Sequence, residues 1–382
     1  MRIGIFGDTY YPEKNGVAVS MFQLRKGLEA LGHEVFIFTI DAPGAPEDDH
    51  VYRFKAVRSG LVKNRRVAIP HFRKWLRLVE SLNLDVIHTQ TEFTLGSLGR
   101  KAAKRLNLPL VHTYHTIYEH SAMYFNLPIS GTALMVKIIT AYSVRWCNRM
   151  DFLIVPTGKT FDLLKMEGVK TPIKTIPTGL DVDKYQTPHL AHTEALRKEM
   201  GLSEADKVLL YLGRVDPEKS IHVLVDHMKM VVPKDPHVKL VIVGGGMSAD
   251  KLKAQVKSLG LEKNIFFTGA VRWDEVQDYY ALGDIFVSAS ISETQGLTYY
   301  EALAAGLPVL AYRDRCLDEM VIDGENGYRF DAAEDFIDHL FEILDDHERY
   351  KANARAMAEN FTAEKFGENV LAIYEQVLAD RV

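Results

Sequence analysis

Short apolar runs alternate with amphipathic stretches of helix length along the whole chain. In the first half, Arg2–Gly7, Glu34–Thr39, Asp85–His88, Leu110–Tyr114, Asp151–Val155 and Ile173–Ile176 read as short buried strands. Between most of them lie helical patterns, such as Val17–Leu31 ending at Gly32, Thr94–Arg105, and Thr157–Met166 ending at Gly168. Such alternation predicts a parallel sheet covered by helices on both faces. The polar stretch Gln186–Glu199 reads as a linker, and a second alternation follows it. Its strands are Val208–Leu212, Lys239–Val243, Asn264–Thr268, Asp284–Ser288, Pro308–Tyr312 and a short Tyr328–Phe330. The 382 residues exceed what one core sustains. The expectation is two doubly wound α/β domains, residues 1–190 and 191–362, facing each other across a cleft. The last helix, within residues 363–382, is expected to pack back on the first domain. Thr132–Met150 is apolar around most of its circumference and reads as a buried crossover helix.

Composition narrows the class. Hydrophobic residues make up 47% and charged residues 25%, the balance of an ordinary globular chain rather than a disordered one. Cys147 and Cys316 lie far apart with no metal-ligand spacing, which fits a reducing cytosol and no disulfide framework. The run Met1–Gly7 reads as a first strand rather than a signal peptide, and no stretch of about 18 apolar residues is present to span a bilayer.

Charge is unevenly distributed. Residues 1–190 hold 25 Lys and Arg against 17 Asp and Glu, net +8; the remainder holds 21 against 34, net −13, for a total of −5. From Val51 to Val79 no acid occurs, whereas nine bases do, among them Lys63, Arg65, Arg66, Arg73, Lys74 and Arg77. Phe72 and Trp75 are interleaved with them. Bases beside aromatics compose an interfacial, anionic-membrane surface; a solvated face would mix signs, and no nucleic-acid motif accompanies the cluster.

Candidate chemistry sits where strands end. The loop from Asp8 leads to Gly16 at a helix start, where a diphosphate or sugar can approach the backbone. It lacks the three-glycine dinucleotide fingerprint, so a nicotinamide cofactor is disfavoured. Leu110–Tyr114 is followed by His115, and the loop beyond carries Met123, Tyr124 and Phe125, candidates for touching lipid or an apolar acceptor. His112 and His115 lack helical i, i+4 spacing, and no metal site is expected. Val208–Leu212 ends in Gly213-Arg214 and continues to Glu218-Lys219 before a helix, placing two cations beside a helix N-terminus. Val241–Gly246 is a second glycine-rich strand end. Finally, Asp284–Ser288 passes through a polar turn into an apolar helix. Glu293 and Glu301 flank its start with seven residues between them, and the N–H groups of Gly296, Leu297 and Thr298 lie at the positive end of its dipole. From spacing alone the two glutamates serve either as an acid–base pair, as in a glycosidase, or as ligand-holding groups.

With these residues in hand the whole chain resembles the retaining glycosyltransferases of GT-B fold, group 1 or family 4. Gly213-Arg214 with Glu218-Lys219 is similar to that family's phosphate-binding segment, and Glu293 and Glu301 to its paired-glutamate motif. The resemblance implies two Rossmann-like domains and a nucleotide-sugar donor, with no metal or other cofactor. It implies that Arg214 and Lys219 hold the donor diphosphate, Glu293 the sugar hydroxyls and Glu301 the ribose. His115 would lie near the donor sugar and Gly16 at the donor–acceptor junction. Retention in the family is described as front-face displacement, so no protein general base is assigned. The segments His88–Phe93 and Thr113–Glu119 are similar to those of bacterial diacylglycerol glucosyltransferases, although His120-Ser-Ala-Met departs from that pattern.

The leading expectation is therefore transfer of a hexose, glucose first, from a UDP-sugar to diacylglycerol by a cytoplasmic enzyme peripheral to the inner face of the cell membrane. The alternatives are extension of a glucosyl-diacylglycerol, a soluble acceptor, a nucleotide-sugar epimerase, or a non-catalytic binding module.

Overall fold

The computed structural model describes residues 1–13, 15–58, 66–69, 71–115 and 129–381, with the side chains of 129–135 excepted. Two compact units divide the chain: Met1–Gly179 with Ala363–Val382, and Leu180–Thr362.

The first unit is built on a seven-stranded parallel sheet. Its strands are β1 (Arg2–Phe6), β2 (Glu34–Ile40), β3 (Val51–Phe54), β6 (Val86–Thr89), β7 (Leu110–Thr113), β8 (Phe152–Val155) and β9 (Ile173–Thr175). Their order is β3-β2-β1-β6-β7-β8-β9, and a small antiparallel pair, β4 (Ala56–Arg58) and β5 (Arg66–Ala68), lies apart from it. Strands such as β6 are buried along their whole length, which explains why they read as unbroken apolar runs. The order reverses between β1 and β6, so the chain leaves these two strands toward opposite sides and opens a crevice at their carboxyl ends.

The helix Ala363–Ala379 completes this unit. Phe366, Val370, Ile373, Tyr374 and Val377 are buried in one cluster with Ile3, Ile5, Met21 and Leu24. It crosses the helix Gly16–Ala30 at a glycine pair. A Cβ on Gly27 would lie 2.1 Å from the Ala363 carbonyl oxygen, so only glycine admits the approach.

The second unit has a six-stranded parallel sheet, β10 (Lys207–Leu212), β11 (Val238–Val243), β12 (Ile265–Gly269), β13 (Ile285–Ser288), β14 (Val309–Tyr312) and β15 (Gly327–Phe330). Their order is β12-β11-β10-β13-β14-β15, with the reversal between β10 and β13.

Several expectations are corrected. The unit boundary falls after Gly179 rather than near residue 190, and Gln186–Glu199 is not a linker. Most of that stretch is the helix Leu190–Glu199, where Thr193 and Leu196 are buried and Thr193 Oγ1 lies 3.2 Å from the Asp278 carbonyl oxygen of the second unit. Residues 51–54, part of the acid-free stretch, form the edge strand β3. Trp75 is 6% exposed and packs against Phe54 with ring centroids 4.4 Å apart and planes tilted by 52°, so it belongs to the core and not to an outward aromatic face. Phe72 is half-buried against it at 5.8 Å, under the Lys101 ammonium at 3.5 Å. Arg66 is also absorbed: its guanidinium pairs with Asp41 and reaches the backbone carbonyls of Asp41 and Ala56. Arg73, Lys74 and Arg77 remain exposed on the helix Phe72–Ser81. Lys63, Arg65, Met123, Tyr124 and Phe125 lie outside the described residues. The buried crossover helix is instead Ile129–Cys147 with an open face: Ile138 is 54% and Tyr142 48% exposed, beside exposed Lys137 and Arg145.

Candidate functional site

In the second unit the switch point gathers the residues expected to grip a donor. Arg214 follows β10, and its guanidinium is held by Asp216 at 2.5 Å and Glu218 at 2.7 Å. Asp216 also accepts the Met247 N–H at 2.9 Å, which ties the arginine loop to the loop after β11. That second loop is the glycine run. A Cβ on Gly244 would stand 1.8 Å from the Gly213 carbonyl oxygen, so the run exists to let two strand-end loops touch. A single turn, Pro217–Lys219, then points Lys219 toward the neighbouring strand end. Its Nζ lies 2.5 Å from Glu293 Oε1, with both side chains about 15% exposed.

Glu293 comes from the loop after β13, on the other side of the reversal. The loop closes at Gly296, which has φ +76°; a Cβ there would press 2.4 Å from the Tyr299 ring. Glycine is therefore required, and it delivers the chain into the helix Leu297–Ala304. Leu297 and Thr298 begin that helix, half-buried, and first-turn N–H groups have no acceptor within their own helix. Two cations from β10 and a helix N-terminus from β13 thus converge where sheets of this class bind ligands. Such an arrangement is chemically suited to an anion such as a diphosphate.

Glu301 sits one turn further in and is only 7% exposed. Its Oε2 accepts from Tyr280 Oη at 2.7 Å. Burial raises its pKa, opposed by hydrogen bonds from Tyr280 and Tyr185 and by the charge of Lys184. The two tyrosines hold the carboxylate in one orientation. Neither was flagged by sequence reasoning, since aromatic residues on apolar elements look like plain core.

In the first unit, the switch point holds the other group of residues. Gly16 opens the helix Gly16–Ala30 after the β1 loop, with Asn15 capping it through Oδ1 and the Ala18 N–H at 3.0 Å. His115 lies just past β7, half-buried, its Nε2 2.6 Å from Gln90 Oε1. Gln90 follows β6, between the strands that carry Gly16 and His115. Asp8, two residues past β1, opens the loop named from the sequence, but its own bonds across the switch point were not foreseen. It accepts from Thr91 Oγ1 at 2.6 Å and from the Leu95 N–H at 3.1 Å, and so caps the helix Thr94–Leu106. Burial pushes its carboxyl up to about 6, against those hydrogen bonds. An acid at a strand's carboxyl end was the available signal. Among the described residues no cluster of His, Cys, Asp and Glu could hold a metal ion, and no helix is long and apolar enough to cross a membrane.

Known proteins resemble the chain in sequence and in fold. Residues 192–360 match the glycosyl transferases group 1 family, and residues 14–184 match glycosyltransferase family 4. The chain is 37% identical to the alpha-monoglucosyldiacylglycerol synthase of Streptococcus pneumoniae, over 98% of this chain and 85% of that protein. It is 33% identical to the synthase of the same name from Acholeplasma laidlawii, over 98% and 96%. Anabaena HepE, solved in complex with UDP and glucose, superposes with a TM-score of 0.75 at 20% identity, covering 98% of this chain and all of that one. Family matches in both halves and kinship over nearly the full length agree: the chain belongs to the group 1, family 4 glycosyltransferases and carries their GT-B fold of two Rossmann-like domains.

Proposed function

We propose that the protein transfers glucose from UDP-glucose to diacylglycerol at an anionic membrane surface, with retention at the anomeric carbon. One observation carries the transfer chemistry: Arg214, Lys219 and the Leu297–Ala304 N-terminus meet at one switch point, with Glu293 touching the lysine. In this reading Arg214 and Lys219 take the diphosphate, and the Leu297 and Thr298 N–H groups complete its shell. Glu293 and His115 orient the sugar hydroxyls, Glu301 receives the ribose, and Gly16 leaves room for the acceptor. The leaving phosphate takes the acceptor's proton, so no side chain serves as general base.

The lipid acceptor is supported by the two glucosyldiacylglycerol synthases, similar over nearly the whole chain. It is supported independently by exposed Arg73, Lys74 and Arg77 and by the open apolar face at Ile138 and Tyr142. Bases attract anionic lipid while apolar side chains enter the interface. The test is UDP release with diacylglycerol in anionic vesicles, with products identified by mass spectrometry across a panel of UDP-sugars. Monoglucosyl-diacylglycerol is the expected product. Turnover only with soluble acceptors, or epimerised UDP-sugar without acceptor, would replace this reading with one of its alternatives.

A further inference from the structure

Gln90 stands at the switch point of the first sheet and is 2% exposed. Its carbonyl oxygen lies 2.6 Å from His115 Nε2, and its amide nitrogen 3.2 Å from His88 Nε2. His88 has no exposed surface. Its Nδ1 is 2.7 Å from Tyr374 Oη on the last helix, and its Nε2 is 2.7 Å from Thr113 Oγ1. An amide oxygen only accepts and an amide nitrogen only donates, so the polarity of this chain assigns each proton. His115 carries its hydrogen on Nε2 and donates to Gln90. Gln90 and the Thr113 hydroxyl donate to the bare Nε2 of His88. His88 carries its hydrogen on Nδ1 and donates to Tyr374.

We infer that Gln90 is a positioning residue that fixes the tautomer of His115, leaving His115 Nδ1 as the hydrogen-bond acceptor for a hydroxyl of the bound sugar, with Tyr374 anchoring the network from the last helix. The inference rests on the reading of His115 as part of the sugar site. Among the described residues His115 Nδ1 has no hydrogen-bond partner, and Nε2 is committed to Gln90. A neutral imidazole has one donor and one acceptor, so fixing one nitrogen fixes the other. Burial, then the neighbouring His112, push His115 down to about 3, with Glu92 opposing, so the ring is neutral at physiological pH.

The titratable groups around it come from every packed element. They are His88 from β6, Glu92 from the loop beyond, His112 from β7 and Tyr374 from the last helix. His112 turns its Nδ1 to the Thr89 carbonyl oxygen at 2.9 Å, and Glu92 approaches only its other nitrogen, at 3.6 Å. Among the described residues no carboxylate competes with Gln90 for His115.

The experiment is nitrogen-15 NMR of the histidine-labelled full chain, with the His115 signals assigned from His115→Ala. Imidazole nitrogen shifts separate the two tautomers directly. The wild type is expected to show His115 as Nε2–H only, unchanged from about pH 5.5 to 8. Gln90→Leu is expected to mix the tautomers and lower kcat about five- to tenfold, the scale of one hydrogen bond. Gln90→Glu sets a carboxylate beside the ring and raises its pKa, so a new loss of activity appears as pH falls. Tyr374→Phe is expected to give the tautomer mixing of Gln90→Leu in weaker form. A wild-type His115 protonated on Nδ1, or a Gln90→Leu variant with unchanged spectrum and kcat, overturns the inference even if other variants fail to fold. Normal transfer by His115→Ala removes the underlying site reading. An inactive His115→Ala beside a normal Gln90→Leu removes only the inference.

Discussion

Lys219 Nζ sits 2.5 Å from Glu293 Oε1, joining the loop after one strand of the second sheet to the loop across its switch point. The two groups assigned to diphosphate and sugar therefore hold each other. On the proposed reading, a diphosphate that draws Lys219 onto its oxygens breaks this contact with Glu293. Lys219→Ala and Glu293→Ala are each expected to lower kcat by about 10²–10³, as for loss of a preorganised charge in a transition state. Each also removes one member of a partly buried ion pair, so a modest fall in melting temperature accompanies the loss. UDP-release kinetics and thermal melts check both. Near-normal turnover by either variant would refute the assigned roles.

Gly296 combines a positive φ with a ring packed where its side chain would be. Gly296→Ala is expected to cost about 1–3 kcal/mol and to lower the melting temperature by a few degrees. It should also weaken donor binding, because the helix N-terminus it introduces shifts with it. Calorimetric titration with UDP-glucose reads the second effect, and retained affinity would mean the helix start contributes little.

Asp8 gives a pH signature to stability. Its folded pKa, about 6, lies above the ordinary carboxyl value of 3.8, so the native state prefers the protonated form. Its contribution is therefore fully present below about pH 4 and is lost as pH rises through 6, a swing on the order of 2–3 kcal/mol. Asp8→Asn keeps an acceptor for the Leu95 N–H and cannot ionise. It is expected to flatten the stability curve between pH 4 and 6 in denaturant titrations; a curve unchanged from wild type would contradict the burial argument.

Arg73, Lys74 and Arg77 are exposed together on one helix of the acid-free stretch, where Lys55 and Arg58 are exposed as well. At about 1 kcal/mol each near anionic lipid, replacing all three with Glu should weaken vesicle binding at least about 100-fold. Sedimentation with anionic vesicles measures it, and added salt should erode the wild-type binding toward the mutant level. Transfer to detergent-dispersed diacylglycerol is expected to persist. Loss there too would place these residues in the reaction rather than at the surface.

Much of this molecule was readable before its structure. Runs such as Lys239–Val243 are apolar on both faces because helices cover both, and Arg214, Lys219 and Glu293 stood out as charges at strand ends. What escaped depends on partners far away in sequence. Trp75 on a basic helix has the composition of a membrane anchor, and only its contact with Phe54 shows that it faces inward. The helix Leu190–Glu199 is polar enough to read as linker, although Thr193 and Leu196 are buried within the second unit. Gln90 and Asp8 are single polar residues whose meaning lies in His88, His115 and Thr91. Local patterns report faces and periods; they do not report which polar atom finds which.

The crossing of the helices Gly16–Ala30 and Ala363–Ala379 also sets an order of assembly. His88 and Tyr374 bond although they stand 286 positions apart in sequence, whereas the second unit is one uninterrupted segment. At about 5–20 residues per second, tens of seconds of synthesis separate the two halves of the first core. The domain made first on the ribosome is thus the one finished last, and it waits with Ile3, Ile5 and Met21 uncovered until its closing helix emerges.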